Sequence, residues 1–129
     1  MKVENPISDR SFAFALQIVG LYKQLCEERE YVLSKQMLRS GTSIGANVAE
    51  ATAAISRREF AAKMSIASKE ARETRYWLLL LTQSQLTRLD LSSALKEVNQ
   101  LVSILTAIVK TAQANLSAEI QTQPSTLKT

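Results

Sequence analysis

One periodic run constrains this chain more than any other feature. Phe60, Met64, Ala67, Ala71, Thr74, Leu78 and Leu81 recur at alternating spacings of four and three. Side chains so spaced share one face of an α-helix, whereas a half-buried strand would need every second position to be apolar. Ser56-Arg57-Arg58-Glu59 stands just ahead of the run. Ser56 can accept a hydrogen bond from a free N–H of the first turn, and Glu59 can reach back to the cap residue's own N–H. The spacing therefore predicts a helix from about Arg57 to about Gln85.

The segment before it, with a helix expected over residues 33–53, carries Leu33, Met37, Ser40, Ile44, Val48 and Ala51 on one face, and its other positions are unusually small: Gly41, Ser43, Gly45, Ala46, Ala49, Ala53 and Ala54. Each helical glycine costs about 1 kcal/mol of helix propensity relative to alanine. Close approach of a second helix backbone is expected to offset that cost. The Gly41-x-x-x-Gly45 spacing is not a phosphate-binding loop, because the Lys-Ser/Thr ending is missing and the pattern around it is helical.

Two further amphipathic segments flank this pair. Helix one is expected over about residues 9–28, capped by Ser8 or Asp9 after Asn5-Pro6. It bears two apolar lines, one through Phe12, Leu16, Val19, Lys23 and Cys26 and another through Phe14, Ile18, Leu21 and Leu25. The acidic cluster 27–30 reads as a solvated helix end and turn. Helix four is expected over 92–116, with Ser92 or Asp90 as cap. Its core stripe is Leu91, Leu95, Val98, Val102, Leu105, Val109 and Ala112, and a second stripe holds Leu101, Ile104 and Ile108. Residues 117–129 are polar, contain Pro124 and show no periodicity, so a flexible tail is expected there. Only 3 Gly and 2 Pro punctuate 129 residues, which favours long helices. The expectation is an all-α protein with one domain over residues 1–116, an antiparallel up-down four-helix bundle. Its surplus apolar surface predicts self-association. Candidates for the contact between copies are Phe14, Ile18, Trp77, Leu80, Leu101 and Ile108.

The middle third carries a recognisable pattern: Gln36, Arg39-Ser40, Ser43-Ile44, Ala46-Asn47-Val48-Ala49-Glu50, then Glu59-Phe60 and Ile66-Ala67. It resembles the bacterial four helix bundle protein family, whose first members are encoded by intervening sequences inside 23S ribosomal RNA genes and which has the accessory protein of diversity-generating retroelements as a relative. The run Lys69-Glu70-Ala71-Arg72-Glu73-Thr74-Arg75-Tyr76-Trp77-Leu78 resembles one branch of it. Many members have Gly after Asn-(Ile/Val)-Ala-Glu, where this chain has Ala51. The resemblance implies an antiparallel four-helix bundle assembled as a homo-oligomeric ring of five, and it implies architecture more than activity.

The chemistry-bearing residues are sparse. The chain has 1 Cys and no His, which excludes an internal disulfide, a Glu-x-x-His di-iron site and the usual Cys/His zinc site. No cofactor or metal is expected. Cys26 has no histidine to activate it and reads as a small core residue. Glu70 and Glu73 share a helix face, but two carboxylates alone do not make a glycosidase or nuclease. The charged motif residues are instead expected to be structural. Arg39 should pair with Glu70 or Glu73, because buried charge is costly unless paired, and Asn47 should hydrogen-bond a neighbouring helix or a helix end. Gln36, Ser40, Ser43, Glu50, Glu59 and Phe60 complete that set.

The net charge is +4, which fits nucleic-acid contact without requiring it. Arg57, Arg58, Lys63, Lys69, Arg72 and Arg75 all fall on helix three or its start and are the candidate nucleic-acid contacts. Aromatic residues lie mostly on or near apolar lines, so binding would be directed at phosphates rather than bases. The amino terminus lacks an apolar signal core, and the longest uninterrupted apolar run, Trp77 to Leu81, is far short of the roughly 20 residues that span a bilayer. A cytoplasmic protein without membrane contact is therefore expected. The expected function is a non-enzymatic, homo-oligomeric binding or scaffolding module, a pentamer on the resemblance, with structured RNA or a ribonucleoprotein as partner. The alternative is a protein-directed adaptor that binds no nucleic acid.

Overall fold

Each of the four amphipathic segments becomes one helix. The computed structural model describes residues 6–121 and contains α1 (Pro6–Glu27), α2 (Val32–Thr52), α3 (Arg57–Gln83) and α4 (Ser92–Gln121), with no strand among the described residues. Ion pairs fix the direction of neighbours. Arg39 on α2 meets Glu70 and Glu73 on α3, while Glu50, further along α2, meets Lys63, earlier on α3. Contacting residues thus rise on one helix as they fall on the next, so the helices are antiparallel. Contacts α1–α2, α2–α3, α3–α4 and a thinner α1–α4 seam close a four-helix bundle.

The core takes one stripe from every helix: Phe14, Ile18 and Leu25 from α1, Met37, Ile44 and Val48 from α2, Met64, Leu78 and Leu81 from α3, Val98, Leu101 and Leu105 from α4, all buried. Three residues expected at a contact between copies therefore lie elsewhere. Phe14, Ile18 and Leu101 are 1%, 0% and 0% exposed. Of the two lines on α1, the one interrupted by Lys23 faces water, and it leaves Phe12 and Leu16 65% and 61% exposed. Periodicity gives the angle between two stripes, but not which of them turns inward. Trp77, Leu80 and Ile108 are half-buried.

The α2 glycines sit where helices approach closely. A Cβ on Gly41 would lie 2.9 Å from both Cγ atoms of Ile18, and one on Gly45 would lie 3.2 Å from the Ser11 carbonyl oxygen. Across the α2–α3 seam, the buried hydroxyls of Ser40 and Thr74 share a hydrogen bond of 2.9 Å, and Thr74 Oγ1 lies 2.8 Å from the Glu70 carbonyl oxygen.

The ends differ from expectation in informative ways. α1 starts at Pro6 rather than at a Ser8 or Asp9 cap; proline suits a first helical turn because its missing N–H would have no helical partner there. α1 ends in a Schellman-like turn, with Arg29 left-handed at φ 65° and Glu30 N–H donating to the Leu25 carbonyl. Glu30 is more than a solvated turn residue. Its carboxylate accepts from the N–H groups of Val32 (3.3 Å), Leu33 (3.0 Å) and Ser34 (2.6 Å), capping α2. Ser56 caps α3 by accepting from Glu59 N–H at 3.0 Å, and Glu59 reaches back one residue further than expected, to Ile55 N–H. Asp90 accepts from Ser92 N–H at the start of α4, and hydrogen bonding by the Ser92 hydroxyl, then by that N–H, holds its carboxyl below the usual range. α4 runs on through residues 117–121, where Ala118, Glu119 and Gln121 favour helix and no breaker occurs before Pro124. Only the remainder of the expected tail, 122–129, lies outside the described residues, as does most of the expected lead-in, 1–5. α4 alone among the described helices is long and apolar enough to cross a bilayer; here its Ala94–Val98–Leu101–Leu105 stripe is buried in the bundle.

Candidate nucleic-acid interface

α3 is charged on both edges, and the balance of sign differs between them. The edge toward α2 carries the acids. Glu70 and Glu73 both receive the Arg39 guanidinium, Glu70 at 3.4 Å. Glu73 Oε2 also accepts from the Trp77 indole N–H at 3.0 Å. That bond, opposed by partial burial and aided by Arg39 and Lys69, holds the Glu73 carboxyl below the usual range. Tyr76 packs edge-on against Trp77. Lys63 lies on this same edge and pairs with Glu50 at 3.1 Å, so it is neutralised and separated from the other five candidate cations.

The edge toward α4 is basic. Arg72 Nη2 donates to Thr106 Oγ1 at 2.8 Å, and Arg75 Nη1 donates to Asn99 Oδ1 at 3.4 Å. Both partners are neutral, so the bonds orient the guanidinium groups without cancelling their charge. Arg57 lies 18 residues before Arg75, about five turns and 27 Å along the same line of the helix. Arg58 and Lys69, both exposed, line up one row further out. Arg57 and Arg58 border a shallow hollow with Leu116, Glu119 and Ile120 of α4. Five of the six candidates thus form a strip along one side of α3.

Most of the motif residues have structural partners. Asn47 differs from expectation: its Nδ2 donates within its own helix, to the Ser43 carbonyl (2.9 Å) and Ser43 Oγ (3.1 Å), rather than to a neighbour. These acceptors lie one turn back, within reach of a short side chain. Gln36 is exposed, and Phe60 is half-buried against the core. Sequence reasoning missed the α1–α4 clip, in which Arg10 donates from Nε and Nη2 to the two oxygens of Glu97 (3.1 and 2.9 Å) and also to Gln100; the Glu97 contact holds Arg10 even more firmly protonated than usual. No periodic signal marks a pair 87 residues apart. Cys26 is partly buried beside the Tyr22 hydroxyl, which it raises above its ordinary pKa. Among the described residues no three metal-ligating side chains cluster.

An open apolar groove of about 880 Å³ lies between the start of α3 and the second half of α4, lined by Ile55, Phe60, Ile108 and Ala112 with Arg57 at its rim. Its origin is a mismatch in helix length. Arg10 meets Glu97 and Gln100, and α1 and α4 run antiparallel, so Pro6 lies at about the level of residue 104. α4 continues past that level to Gln121. The α1-facing side of α4 therefore outruns the described part of α1.

No functionally curated protein is similar to this sequence. Among solved structures, a protein of unknown function from the S23 ribosomal protein family of Bacteroides thetaiotaomicron is 48% identical and superposes with a TM-score of 0.78, covering 82% of this chain and 96% of its own. Residues 4–107 match the family described as 23S rRNA-intervening sequence protein. With that match spanning most of the bundle, the chain belongs to the 23S rRNA-intervening sequence protein family.

Proposed function

We propose that this protein is a non-enzymatic, homo-oligomeric scaffold of the cytoplasm, a ring of five copies, that holds structured RNA by its phosphates along the basic strip of α3. The strip carries the reading: Arg72 and Arg75 are aimed by neutral partners and keep their full charge, and Arg57, Arg58 and Lys69 extend the line. Guanidinium groups held in place suit phosphate recognition. The exposed aromatic beside them, Tyr76, is engaged edge-on by Trp77 and stands alone on the strip among the described residues, so base identity is read weakly. In a ring the strip recurs in every copy, and individually weak contacts add through multivalency.

Binding of a structured RNA, followed by fluorescence anisotropy across a salt series, tests this. Each phosphate contact contributes about 0.7–0.9 to the slope of log K against log salt. The combined Arg72→Glu and Arg75→Glu variant is expected to flatten that slope and weaken binding at least tenfold, while Lys63→Ala, which removes an already paired charge, is expected to leave both nearly unchanged. Affinity that does not vary with salt, or no binding at low salt, refutes the RNA reading and leaves the protein-directed adaptor in its place.

A further inference from the structure

Two apolar surfaces of this chain are left without a partner among the described residues. One is the outer ridge of α1, where Phe12 and Leu16 stand one turn apart, 65% and 61% exposed, directly opposite the buried Phe14–Ile18 stripe. The other is the groove beyond the start of α1, where Phe60 and Ile108 are only half-covered and Ile55 is 95% exposed. We infer that the two are halves of one contact: the α1 ridge of one copy seats in the α3–α4 groove of the next. The inference rests on the homo-oligomeric reading above and assigns its surfaces.

Three observations favour a second copy as the occupant. The groove is the lane that α1 would fill if it ran as far as α4 does, so it has the width and the apolar walls suited to a helix carrying large side chains on one face. Charge matches as well. Asp9 is exposed one turn before Phe12, and Arg57 stands at the groove rim; neither forms an ion pair within the chain among the described residues. Finally, a ridge-to-ridge pairing of two α1 helices would leave the groove open, whereas ridge-into-groove covers both surfaces with one contact. Such a contact joins unlike surfaces, so it propagates from copy to copy and closes only as a ring.

Native mass spectrometry of separate and mixed variants tests the assignment. The ridge variant combines Phe12→Asp and Leu16→Asp. The groove variant combines Ala107→Glu and Thr111→Glu. All four positions are exposed, so the fold should survive, which circular dichroism would confirm. Each variant alone is expected to be monomeric. An equimolar mixture retains one intact ridge and one intact groove per pair, so it is expected to give a two-subunit particle and nothing larger. A wild-type assembly that survives either variant overturns the inference and points to another occupant of the groove, such as residues 1–5 of the same chain. Variants that are each monomeric and stay monomeric when mixed overturn it too, because an intact ridge and an intact groove then fail to meet; a groove variant that still dimerises overturns it in favour of a symmetric ridge-to-ridge contact. A monomeric wild type removes the homo-oligomeric reading itself.

Discussion

The three glycines make a sharp test of the packing, because one substitution should act with opposite signs. Gly20, Gly41 and Gly45 all lie inside helices. Replacing any of them by alanine recovers about 1 kcal/mol of helix propensity. At Gly20 the new methyl group meets nothing within 4 Å, so the whole gain should appear as added stability. At Gly41 it would lie 2.9 Å from Cγ1 and Cγ2 of Ile18. That side chain is fully buried and branched at Cβ, so it has no free rotamer to yield into. Overpacking of this kind costs about 1–3 kcal/mol, which cancels the propensity gain or leaves up to about 2 kcal/mol of destabilisation. At Gly45 the obstacle is the Ser11 carbonyl, 3.2 Å away; a backbone atom moves only with its helix, so a net loss is expected there as well. Urea unfolding followed by the fluorescence of the lone tryptophan, Trp77, at one fixed protein concentration reads all three. The expected order of midpoints is Gly20→Ala above wild type, with Gly41→Ala and Gly45→Ala at or below it. A gain at Gly41 equal to that at Gly20 would refute the close α1–α2 approach.

Three further outcomes follow from named contacts. The Ser40–Thr74 hydroxyl pair should be non-additive: Thr74→Val leaves Ser40 Oγ with only the Met37 carbonyl at 3.4 Å and should cost about 1–3 kcal/mol, whereas adding Ser40→Ala should cost little more; additive single effects in a urea double-mutant cycle would contradict the bond. Because the folded-state pKa of Glu73 is lowered, its contribution is present above the ordinary glutamate range and is lost as pH falls through that lowered value. An acid titration of Trp77 fluorescence should show this step below the usual range, and Glu73→Gln should abolish it. Arg29 and Gln85 hold left-handed backbone at φ 65° and 59°, so Arg29→Gly and Gln85→Gly should each raise the unfolding midpoint, by about 0.5–1 kcal/mol; a lowered midpoint would count against the strained turns.

Much of the bundle was legible because its signals are local. The Phe60-to-Leu81 stripe, the Ser56 cap and the small residues of α2 each act within a few turns of chain, and α2 and α3 stand close to where that periodicity puts them. What lay beyond reach depends on direction or on distance in sequence. Phe14 and Phe12 are both aromatic and both on a stripe, and only the packing of α2 and α4 against α1 decides which of them is buried. Lys63 and Arg72 look alike in a list of cations, yet Glu50 neutralises one and Thr106 leaves the other charged. Glu30 reads as one more acid in a charged cluster until its carboxylate is seen over three amide groups.

The α1–α2 turn also bears on the order in which the chain folds. Its bonds, from the Leu25 carbonyl to the Ser34 amide, are all closed within ten residues of sequence. The Arg10–Glu97 clip must bring together positions 87 residues apart. Loop-closure entropy makes the first kind of contact quick to form and the second late. During synthesis the first two helices can thus fold back on each other, with Gly41 and Gly45 against α1, before α4 has left the ribosome. The acidic turn is then expected to form early, and the seam between α1 and α4 to close last.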